Sequence, residues 1–349
     1  CIRDSVDIVD GEALSQCELL KVADNYEALV VRSRSKVSAA VIEAGTRLRI
    51  IVRAGVGLDN IDAHAAEARD IEVVNCPHAT TLAVAEHTFA LLLSIARRVP
   101  QADRALKEQE WLKGKLNGVS LSGKTLGVVG FGRIGREVVK RAQAFEMRVL
   151  VSHTNRRKET AGEWRIDMVD LAELLTKSDF VSLHVPLRPA NIGLIGEDEL
   201  AMMAPHAFLI NTARGAVVDE HALLAALNRG QIAGAALDVF VDEPTPNPAL
   251  VAHPRVLATP HIAASTLESQ QRVAIDAADK VVDMLQRKRT ADTLALRVVP
   301  VVSVQPHEAY NPKRARRLAQ RLVTDGHLAN PPLVAETEHG YVILDGATR

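Results

Sequence analysis

The sequence has few of the residues that characterise several common classes of protein. Aromatic residues make up only 3% of its 349 residues, which argues against a β-sandwich core or a surface that stacks nucleic-acid bases. Its three cysteines, Cys1, Cys17 and Cys76, are too few and too scattered for a disulfide scaffold or a zinc site. We therefore expect no bound metal, and reduced thiols in a cytoplasmic protein.

The chain also has no excess of either charge and no long apolar run. It carries 42 basic and 43 acidic residues, so neither nucleic acid nor a membrane is an expected partner. No apolar stretch reaches the length of a membrane span, and the first residues do not resemble a signal peptide. Because the chain begins with Cys1 rather than methionine, we expect the front edge of its first domain to be missing.

A glycine-rich stretch, VVGFGRIG, is the most informative motif that is present. It follows a predicted strand at residues 125–129 and precedes a predicted helix at 136–145. In this setting Gly130 permits a tight turn, Gly132 lets the backbone approach a pyrophosphate, and Gly135 lets helix and strand pack closely. A structural turn is the alternative for the bare motif, but the flanking strand and helix favour dinucleotide binding.

Alternating strand and helix patterns on both sides of this motif predict parallel βαβ units. The fold class is therefore α/β: a Rossmann-type doubly wound parallel sheet of about six strands, inserted into a smaller flavodoxin-like α/β substrate domain. The strands are predicted at residues 26–32, 47–53 and 71–75 in the smaller domain, and at 125–129, 148–152, 180–184, 207–211, 232–237 and 255–258 in the larger one. A long helical pattern at 265–289 could return the chain to the smaller domain.

The composition changes near residue 298 and predicts a partial α+β domain. Strands are expected at 298–304, 331–335 and 341–344, and a basic helix at 311–324. A solvated helix face explains the basic residues better than DNA binding, because no aromatic or helix-turn-helix companion follows. The predicted domains are thus 1–92 with 268–295 for the substrate, 93–267 for the nucleotide, and 298–349.

Three polar residues follow predicted strands of the nucleotide domain. Arg214, Glu243 and His261 would all lie at the carboxyl edge of the sheet, where ligands bind in open α/β folds. Singly, Glu243 could be a loop charge and His261 a cap. Together they form a set that can interconvert a 2-hydroxy acid and a 2-keto acid: a guanidinium for the carboxylate, an imidazole for the hydroxyl proton, and a carboxylate that holds the imidazole.

Glu86 and His87 form a second polar pair, within a largely apolar helical pattern at residues 81–98. They could be catalytic, but we favour a polar pair buried at a domain junction or a dimer interface.

The chain resembles the D-isomer-specific 2-hydroxyacid dehydrogenase family, from about residue 26 to residue 285. The resemblance rests on RAGVGLDNID, AVAEHT, LSGKTLGVVGFGRIG, LINTARGAVVDE, GAALDVFVDEP and TPHIAAST. It implies that Arg214 binds substrate, that His261 is the acid/base with Glu243 as its partner, and that Asp238 holds the nicotinamide carboxamide. It further implies a cofactor site that includes Arg133, Ile134, Thr212, Ala213 and Ala263, and a substrate site formed by Arg32, Ser33, Arg53, Ala54, Gly55 and Val56.

Two positions depart from the family pattern. His153 stands where a carboxylate for the ribose 2′-hydroxyl is usual, and Arg156, Arg157 and Lys158 follow it. Without that carboxylate the 2′-phosphate of NADP is not repelled and the nearby arginines could pair with it, so both NAD and NADP remain open as cofactors. Alternatively, the three basic residues form a solvent-facing loop and do not contact the cofactor. Thr80, in the segment PHATT, stands where asparagine is common in the family. The substitution leaves open how this loop, the expected hinge between the domains, contacts the substrate.

The last 52 residues resemble the start of a ParB/sulfiredoxin-type domain, especially its free-serine-kinase branch. The similar segments are VVPVVSVQPHE, DGHLANPPLV and GYVILDGATR. The resemblance implies that Glu308 activates a serine hydroxyl and that Asp345 and Arg349 lie near phosphates. Ala347 and Thr348 replace the usual histidine pair, so an inactive or regulatory piece is the alternative.

The predicted function is hydride transfer between NAD or NADP and a D-2-hydroxy acid, with 3-phosphoglycerate as the expected substrate. Reduction of glyoxylate or hydroxypyruvate is the nearest alternative, and a non-catalytic nucleotide sensor is the alternative from another class. The expected partners are a small 2-hydroxy or 2-keto acid and a second copy of the chain, as a homodimer or a higher homo-oligomer through the helix at 81–98.

Overall fold

Short runs of aliphatic residues form the first sheet of the protein. The computed structural model describes residues 14–32, 35–154, 162–293, 304–306, 333–337 and 340–345. Strands β1 (Ala28–Val31), β2 (Ile50–Arg53) and β3 (Glu72–Asn75) are parallel and lie in the order β1-β2-β3. Helices α1 (Gln16–Val22), α2 (Ala39–Ala44) and α3 (Ala63–Glu67) accompany them. The strands predicted in this region are therefore confirmed.

The larger sheet has seven strands in the described residues, one more than predicted. Its parallel order is β10-β9-β8-β7-β4-β5-β6. The strands are β4 (Thr125–Val129), β5 (Arg148–Ser152), β6 (Asp167–Met168), β7 (Phe180–Leu183), β8 (Phe208–Asn211), β9 (Gly234–Leu237) and β10 (Val256–Ala258). Strand β6 was missed because two residues are too short to show a periodic pattern.

The strand order reverses beside β4, because the chain crosses from β6 to β7 on the opposite side of it. Such a reversal opens a crevice at the carboxyl ends of the strands, which is where ligands bind in open α/β sheets. The glycine-rich turn directly follows β4 and therefore lies at this crevice. Strands β7 and β9 are buried along their whole length, as expected for a parallel sheet covered on both faces.

Helices cover both faces of the larger sheet and create two apolar clusters. One contains Phe89 and Leu92 of α4 with Val138 of α6, and the other contains Leu174 and Leu223. The helices of this part are α4 (Thr81–Arg97), α5 (Val99–Lys107), α6 (Arg133–Ala144), α7 (Leu171–Lys177), α8 (Glu197–Met202), α9 (Glu220–Arg229) and α10 (Pro248–Val251). Helix α5 was not predicted, and α6 begins three residues earlier than expected.

The long helix α11 (Leu267–Thr293) returns to the first sheet, as its pattern suggested. Its Ala277, Val281 and Met284 pack in one cluster with Ile50 and Val52 of β2. None of the helices in the described part of the chain is long and apolar enough to cross a membrane.

The C-terminal residues form a separate small sheet. The chain divides into two compact units, Cys1–Gln286 and Arg287–Arg349. In the second, β11 (Val304–Pro306) is parallel to β13 (Gly340–Asp345), which pairs antiparallel with β12 (Leu333–Thr337). The strands predicted near 331–335 and 341–344 are confirmed with shifted ends, whereas β11 overlaps its predicted strand only at Val304. The predicted helix at 311–324 lies outside the described residues, and the finer domain boundaries stay predictions.

Candidate active site

The glycine-rich turn has the shape of a backbone cradle. Gly130 has φ +100°, and a Cβ on it would lie 2.6 Å from the carbonyl oxygen of His184. A Cβ on Gly135 would collide with the carbonyl oxygen of Gly130, whereas the space beside Gly132 is open to 4 Å. Because α6 begins at Arg133, its unpaired N–H groups point toward that open space. The open side of Gly132 and the positive end of the helix dipole are the features that a bound pyrophosphate requires.

His153 lies beside the cradle, at the end of β5. Its Nδ1 accepts a long, 3.4 Å hydrogen bond from the backbone N–H of Phe131, so the ring adjoins the glycine-rich turn. The ring of Phe131 in turn contacts Trp164 edge-on at 5.3 Å and the guanidinium of Arg136 at 5.3 Å. The basic residues Arg156, Arg157 and Lys158 lie outside the described residues.

His261 and Glu243 form a hydrogen-bonded pair at the carboxyl edge of the sheet. The distance between His261 Nδ1 and Glu243 Oε2 is 2.7 Å, and the side chains are 37% and 35% exposed. The backbone N–H of Phe240 donates to Glu243 Oε1 at 3.1 Å and so orients the carboxylate. The pair thus leaves His261 Nε2 for a reacting proton.

A buried carboxylate holds the turn that carries His261. Asp238 is fully buried and accepts hydrogen bonds from Thr259 Oγ1 at 2.6 Å, from Ile262 N at 2.9 Å and from Ala263 N at 2.9 Å. Burial raises the pKa of Asp238, but the hydrogen bonds from His87, Thr259, Ile262 and Ala263 outweigh it and hold the pKa below its ordinary value. The charged carboxylate therefore stabilises a turn in which His261 adopts φ 52°.

Arg214 follows β8 in a loop that its neighbours brace. The amide of Asn211, which is buried, donates to Arg214 O at 2.9 Å and accepts from Ala213 N at 3.0 Å. Arg214 Nη1 donates to Ala213 O at 2.7 Å, and Arg214 Nε donates to Asp59 Oδ2, also at 2.7 Å. The second of these bonds joins two loops that are 155 residues apart.

The loop after β2 adds a second guanidinium to the site. Arg53 is buried and donates from Nε to Asn60 Oδ1 at 3.1 Å and from Nη1 to Ala54 O at 2.8 Å. Burial, then the nearby charges of Arg214 and Arg32, lower the pKa of Arg53, while Asp59 raises it. The positive side chains of Arg32, Arg53 and Arg214 thus lie close enough to influence one another.

Two asparagines fix the loops of the predicted substrate site. Asn60 donates to Arg32 O at 2.9 Å and to Ser35 O at 2.7 Å, which ties the loop after β1 to the loop after β2. Asn75, at the end of β3, donates to Val56 O at 2.5 Å. Ser33 lies outside the described residues, so its placement stays a prediction. Gly55 is buried, and Ala54 is half-buried within the same loop.

Three polar residues of this site were missed from the sequence, and the partners of a fourth, His87, were not predicted. Asp59 and Asn60 belong to the motif RAGVGLDNID, but the sequence assigned no function to either of them. His184 is the last residue of the strand predicted at 180–184, which ends at the crevice. Burial lowers the pKa of His184 to about 3, so its ring, 2.8 Å from Ser182 Oγ, is neutral. His87 is half-buried, with Nε2 3.1 Å from Thr259 Oγ1 and 3.3 Å from Asp238 Oδ1.

Burial at a domain junction is wrong for Glu86, whereas burial of the Glu86 and His87 pair at a dimer interface stays a prediction. The side chain of Glu86 is 64% exposed and lies 3.6 Å from Arg141 Nη2, because adjacent residues on a helix point in different directions. Thr80, the second departure from the family pattern, is buried, and its hydroxyl has no hydrogen-bond partner within the described residues. In the C-terminal sheet Asp345 ends β13, and Glu308 and Arg349 lie outside the described residues.

Comparison with known proteins agrees with this architecture. Residues 89–263 match the NAD binding domain of the D-isomer specific 2-hydroxyacid dehydrogenases. The chain is 45% identical over 283 residues to D-3-phosphoglycerate dehydrogenase of Archaeoglobus fulgidus, covering 81% of this chain and 54% of the relative. Among solved structures, the TT0316 protein from Thermus thermophilus has a TM-score of 0.75 and 37% identity, covering 81% of this chain and 90% of its own.

A second solved structure contains the phosphorylated cofactor. It is an acyclic imino acid reductase in complex with NADPH and D-Arg, with a TM-score of 0.75 and 30% identity, covering 82% of this chain and 92% of its own.

The chain therefore belongs to the D-isomer specific 2-hydroxyacid dehydrogenase family. The predicted fold class and a nicotinamide cofactor are confirmed at the level of that family. The chain spans about half the length of the curated relatives it matches, 54% in the Archaeoglobus protein and 50% in that of Synechocystis.

Proposed function

We propose that the protein transfers a hydride between a nicotinamide cofactor and a D-2-hydroxy acid or its 2-keto partner. The observation that carries the proposal is the 2.7 Å pair of His261 and Glu243 at the same sheet edge as Arg214 and the glycine-rich turn. This arrangement supplies one group for each requirement of the reaction. The test is oxidation or reduction of the cofactor, followed by its absorbance, with 2-hydroxy and 2-keto acids.

The chain's own residues would bind and orient the substrate and move its proton. Arg214 would bind the carboxylate through its Nη1–Nη2 edge, using the hydrogen of Nη1 that Ala213 O does not accept, with the loop after β2 on the other side. His261 Nε2 would take the hydroxyl proton during oxidation and return it during reduction. Glu243 would keep the proton of the imidazole on Nδ1 and stabilise its charged form. The nicotinamide, when bound, supplies the hydride acceptor or donor.

The residues proposed to hold the cofactor fall into two groups. Gly130, Gly132, Arg133, Ile134 and Gly135 would hold the pyrophosphate, which agrees with the open cradle at Gly132. Thr212, Ala213, Asp238 and Ala263 would lie on the nicotinamide side. Because Asp238 is fully buried and already accepts several bonds, its proposed contribution includes holding the His261 turn as well as the carboxamide.

His153 is proposed to make the ribose end of the site tolerant of a 2′-phosphate. The support is its place beside Phe131, without a carboxylate, and a solved relative that contains NADPH. We expect His153→Asp to raise the KM for NADP relative to that for NAD by about tenfold or more, because a carboxylate repels the phosphate. A wild type that uses NAD alone would contradict the proposal.

We propose 3-phosphoglycerate as the substrate, with glyoxylate or hydroxypyruvate reduction as the alternative. The three neighbouring guanidiniums of Arg32, Arg53 and Arg214 suit a substrate with two anionic groups, and the curated relatives carry that activity in their name. Arg32→Ala should lower kcat/KM for the phosphorylated keto acid about tenfold and leave hydroxypyruvate unaffected. An equal loss for both would favour the alternative. Tight cofactor binding without turnover of any acid would instead indicate a nucleotide sensor.

We propose that the C-terminal unit is the start of a ParB/sulfiredoxin-like domain. The support is its mixed sheet of β11, β13 and β12, with Asp345 at the end of β13 before GATR. If Glu308, Asp345 and Arg349 act as in a free-serine kinase, the full-length protein should form phosphoserine from serine and ATP or ADP. If no phosphoserine forms, the C-terminal unit is a regulatory or inactive domain.

A homo-oligomer is proposed through the region of α4 and α5. Leu82, Val99, Leu106 and Trp111 are exposed there, at 41%, 52%, 60% and 76%. Light scattering coupled to size exclusion should give a dimer or larger, and Leu106→Glu should shift it toward the monomer. Cytoplasmic location also stays a prediction.

A further inference from the structure

Asp59 has no role in the family resemblance, yet it contacts the proposed substrate arginine directly. Its Oδ2 accepts from Arg214 Nε at 2.7 Å, and the side chains of Asp59 and Arg214 are 41% and 28% exposed. Asp59 belongs to the loop after β2, whereas Arg214 follows β8 in the larger sheet. The bond therefore joins the two sheets at the point where a substrate would lie between them.

The contacts of Arg214 determine which edge of its guanidinium faces a ligand. Nε is bonded to Asp59, and Nη1 is bonded to Ala213 O at 2.7 Å. Because each Nη nitrogen carries two hydrogens, the guanidinium can still donate two parallel bonds through its Nη1–Nη2 edge. The bond to Asp59 therefore leaves the Nη1–Nη2 edge of Arg214 available for a carboxylate and fixes the plane of the guanidinium.

Gly57 provides the space in which this pair sits. A Cβ at Gly57 would overlap Arg214 Nη2 and would lie 2.5 Å from Asp59 Oδ2. Any side chain there would displace the guanidinium, which is the flexible end of its residue, rather than the backbone. The glycine is thus a steric requirement of the pair.

The charge of Asp59 also matters, because it faces a cluster of cations. The charges of Arg214 and Arg32 lower the pKa of Arg53, and Asp59 raises it. A site of three guanidiniums without this carboxylate would bind small inorganic anions more tightly.

We propose that Asp59 is a positioning residue that sets the orientation of Arg214 and limits the binding of unproductive anions. The inference rests on the proposed function of Arg214. It predicts that orientation and charge can be separated by two substitutions. Asp59→Asn keeps an oxygen that accepts from Nε and removes the charge, whereas Asp59→Ala removes both.

The experiment measures kcat and KM for the best keto acid, the Kd of the cofactor, and inhibition by inorganic sulfate. We expect Asp59→Ala and Gly57→Ala to lower kcat/KM by about tenfold or more with unchanged cofactor Kd, because Arg214 loses its orientation. Asp59→Asn should keep kcat within about threefold and should be inhibited by sulfate at lower concentrations. Asp62→Asn is the matched control, because it removes a charge three residues away that caps α3 through Ala65 N.

Wild-type kcat/KM in Asp59→Ala, or an equal loss in Asp62→Asn, would overturn the inference. So would parallel losses of turnover and of cofactor binding, since these would indicate a purely structural role. An inactive wild type would overturn the proposed function itself, and the inference with it. An active wild type that tolerates Asp59→Ala would overturn the inference alone.

Discussion

The two loops that carry His261 and Arg214 are held in different ways. The His261 turn is bonded to the buried carboxylate of Asp238, through backbone N–H groups and Thr259. The Arg214 loop has the buried amide of Asn211 beneath it, but the guanidinium itself is held by the half-exposed Asp59. A buried charge with several donors is costly to disturb, whereas an exposed ion pair is weak and adjustable. The proposed proton-transfer group, His261, is thus held rigidly, whereas the contact that orients the proposed substrate-binding group, Arg214, is weaker and more easily changed.

The largest expected effect comes from removing the imidazole without disturbing its turn. His261→Gln should lower kcat by about a hundred- to ten-thousandfold, because no group then exchanges the hydroxyl proton. The free energy of unfolding should change little, since the side chain is 37% exposed. Steady-state kinetics and urea denaturation test both parts. A variant with near-normal kcat would contradict the proposed role of His261.

The carboxylates of Asp238 and Asp59, which hold the two loops, can be compared through the same substitution, aspartate to asparagine. Asp238→Asn should lower the free energy of unfolding by about 2–4 kcal/mol, because its amide NH₂ faces N–H donors inside the protein. Asp59→Asn should cost less than about 1 kcal/mol, since its ion pair is half-exposed. Urea denaturation of both variants measures the difference. An equal loss of unfolding free energy in the two variants would contradict the difference between a buried carboxylate and a half-exposed one.

The third prediction follows from the lowered pKa of Asp238. A carboxyl whose pKa is lower in the folded state stabilises the protein above its unfolded pKa, and this contribution is lost as the pH falls through the folded value. The stability difference between wild type and Asp238→Asn should therefore shrink below about pH 3.8, the ordinary pKa of the group. Protonation of His184, whose pKa burial lowers to about 3, acts on both proteins alike and cancels. A difference that is constant with pH would contradict the assignment.

The smallest effects are expected for two adjacent residues of α4, His87 and Thr88, which contact the His261 turn and the Arg214 loop respectively. His87 Nε2 lies 3.1 Å from Thr259 Oγ1, and Thr88 Oγ1 lies 3.0 Å from Thr212 Oγ1. His87→Leu and Thr88→Val should each cost about 1 kcal/mol of stability, because each removes a polar group with two contacts. His87 contacts Thr259 and Asp238. The Thr88 hydroxyl donates to Val84 O and contacts Thr212 Oγ1. We expect His87→Leu to lower kcat and Thr88→Val to raise KM, because the His261 turn is proposed to transfer the proton and the Arg214 loop to bind the substrate. Identical kinetic changes in the two variants would mean that α4 supports both loops as one unit.

The sequence allowed much of the fold to be predicted, because its signals there are local and repeated. Strands β1 to β5 and β7 to β10 lie within the predicted segments, since parallel buried strands are continuous aliphatic runs. The two-residue β6 and helix α5 were missed because one is too short and the other too polar for its pattern to be read. The start of α6 was placed too late, because Arg133 and Ile134 were read as part of the turn.

The site was predicted less completely than the fold. Arg214, Glu243 and His261 could be singled out because each follows a strand, and the carboxyl ends of parallel strands share one edge. Asp59 was not singled out, and the partner of His87 was not predicted, because these contacts join residues that are 155 and 172 positions apart and no local pattern encodes them. The buried state of Asp238 and the exposure of Glu86 are likewise results of packing.

By itself, therefore, the sequence determined the α/β class, the glycine-rich turn and the set of groups that could do the chemistry, because these follow from periodicity and from the side chains themselves. Only the tertiary structure decided that Asp238 holds the His261 turn and that Asp59 holds the Arg214 guanidinium. That decision depends on distances and on burial, and both arise when segments far apart in the chain are brought to one edge of a sheet.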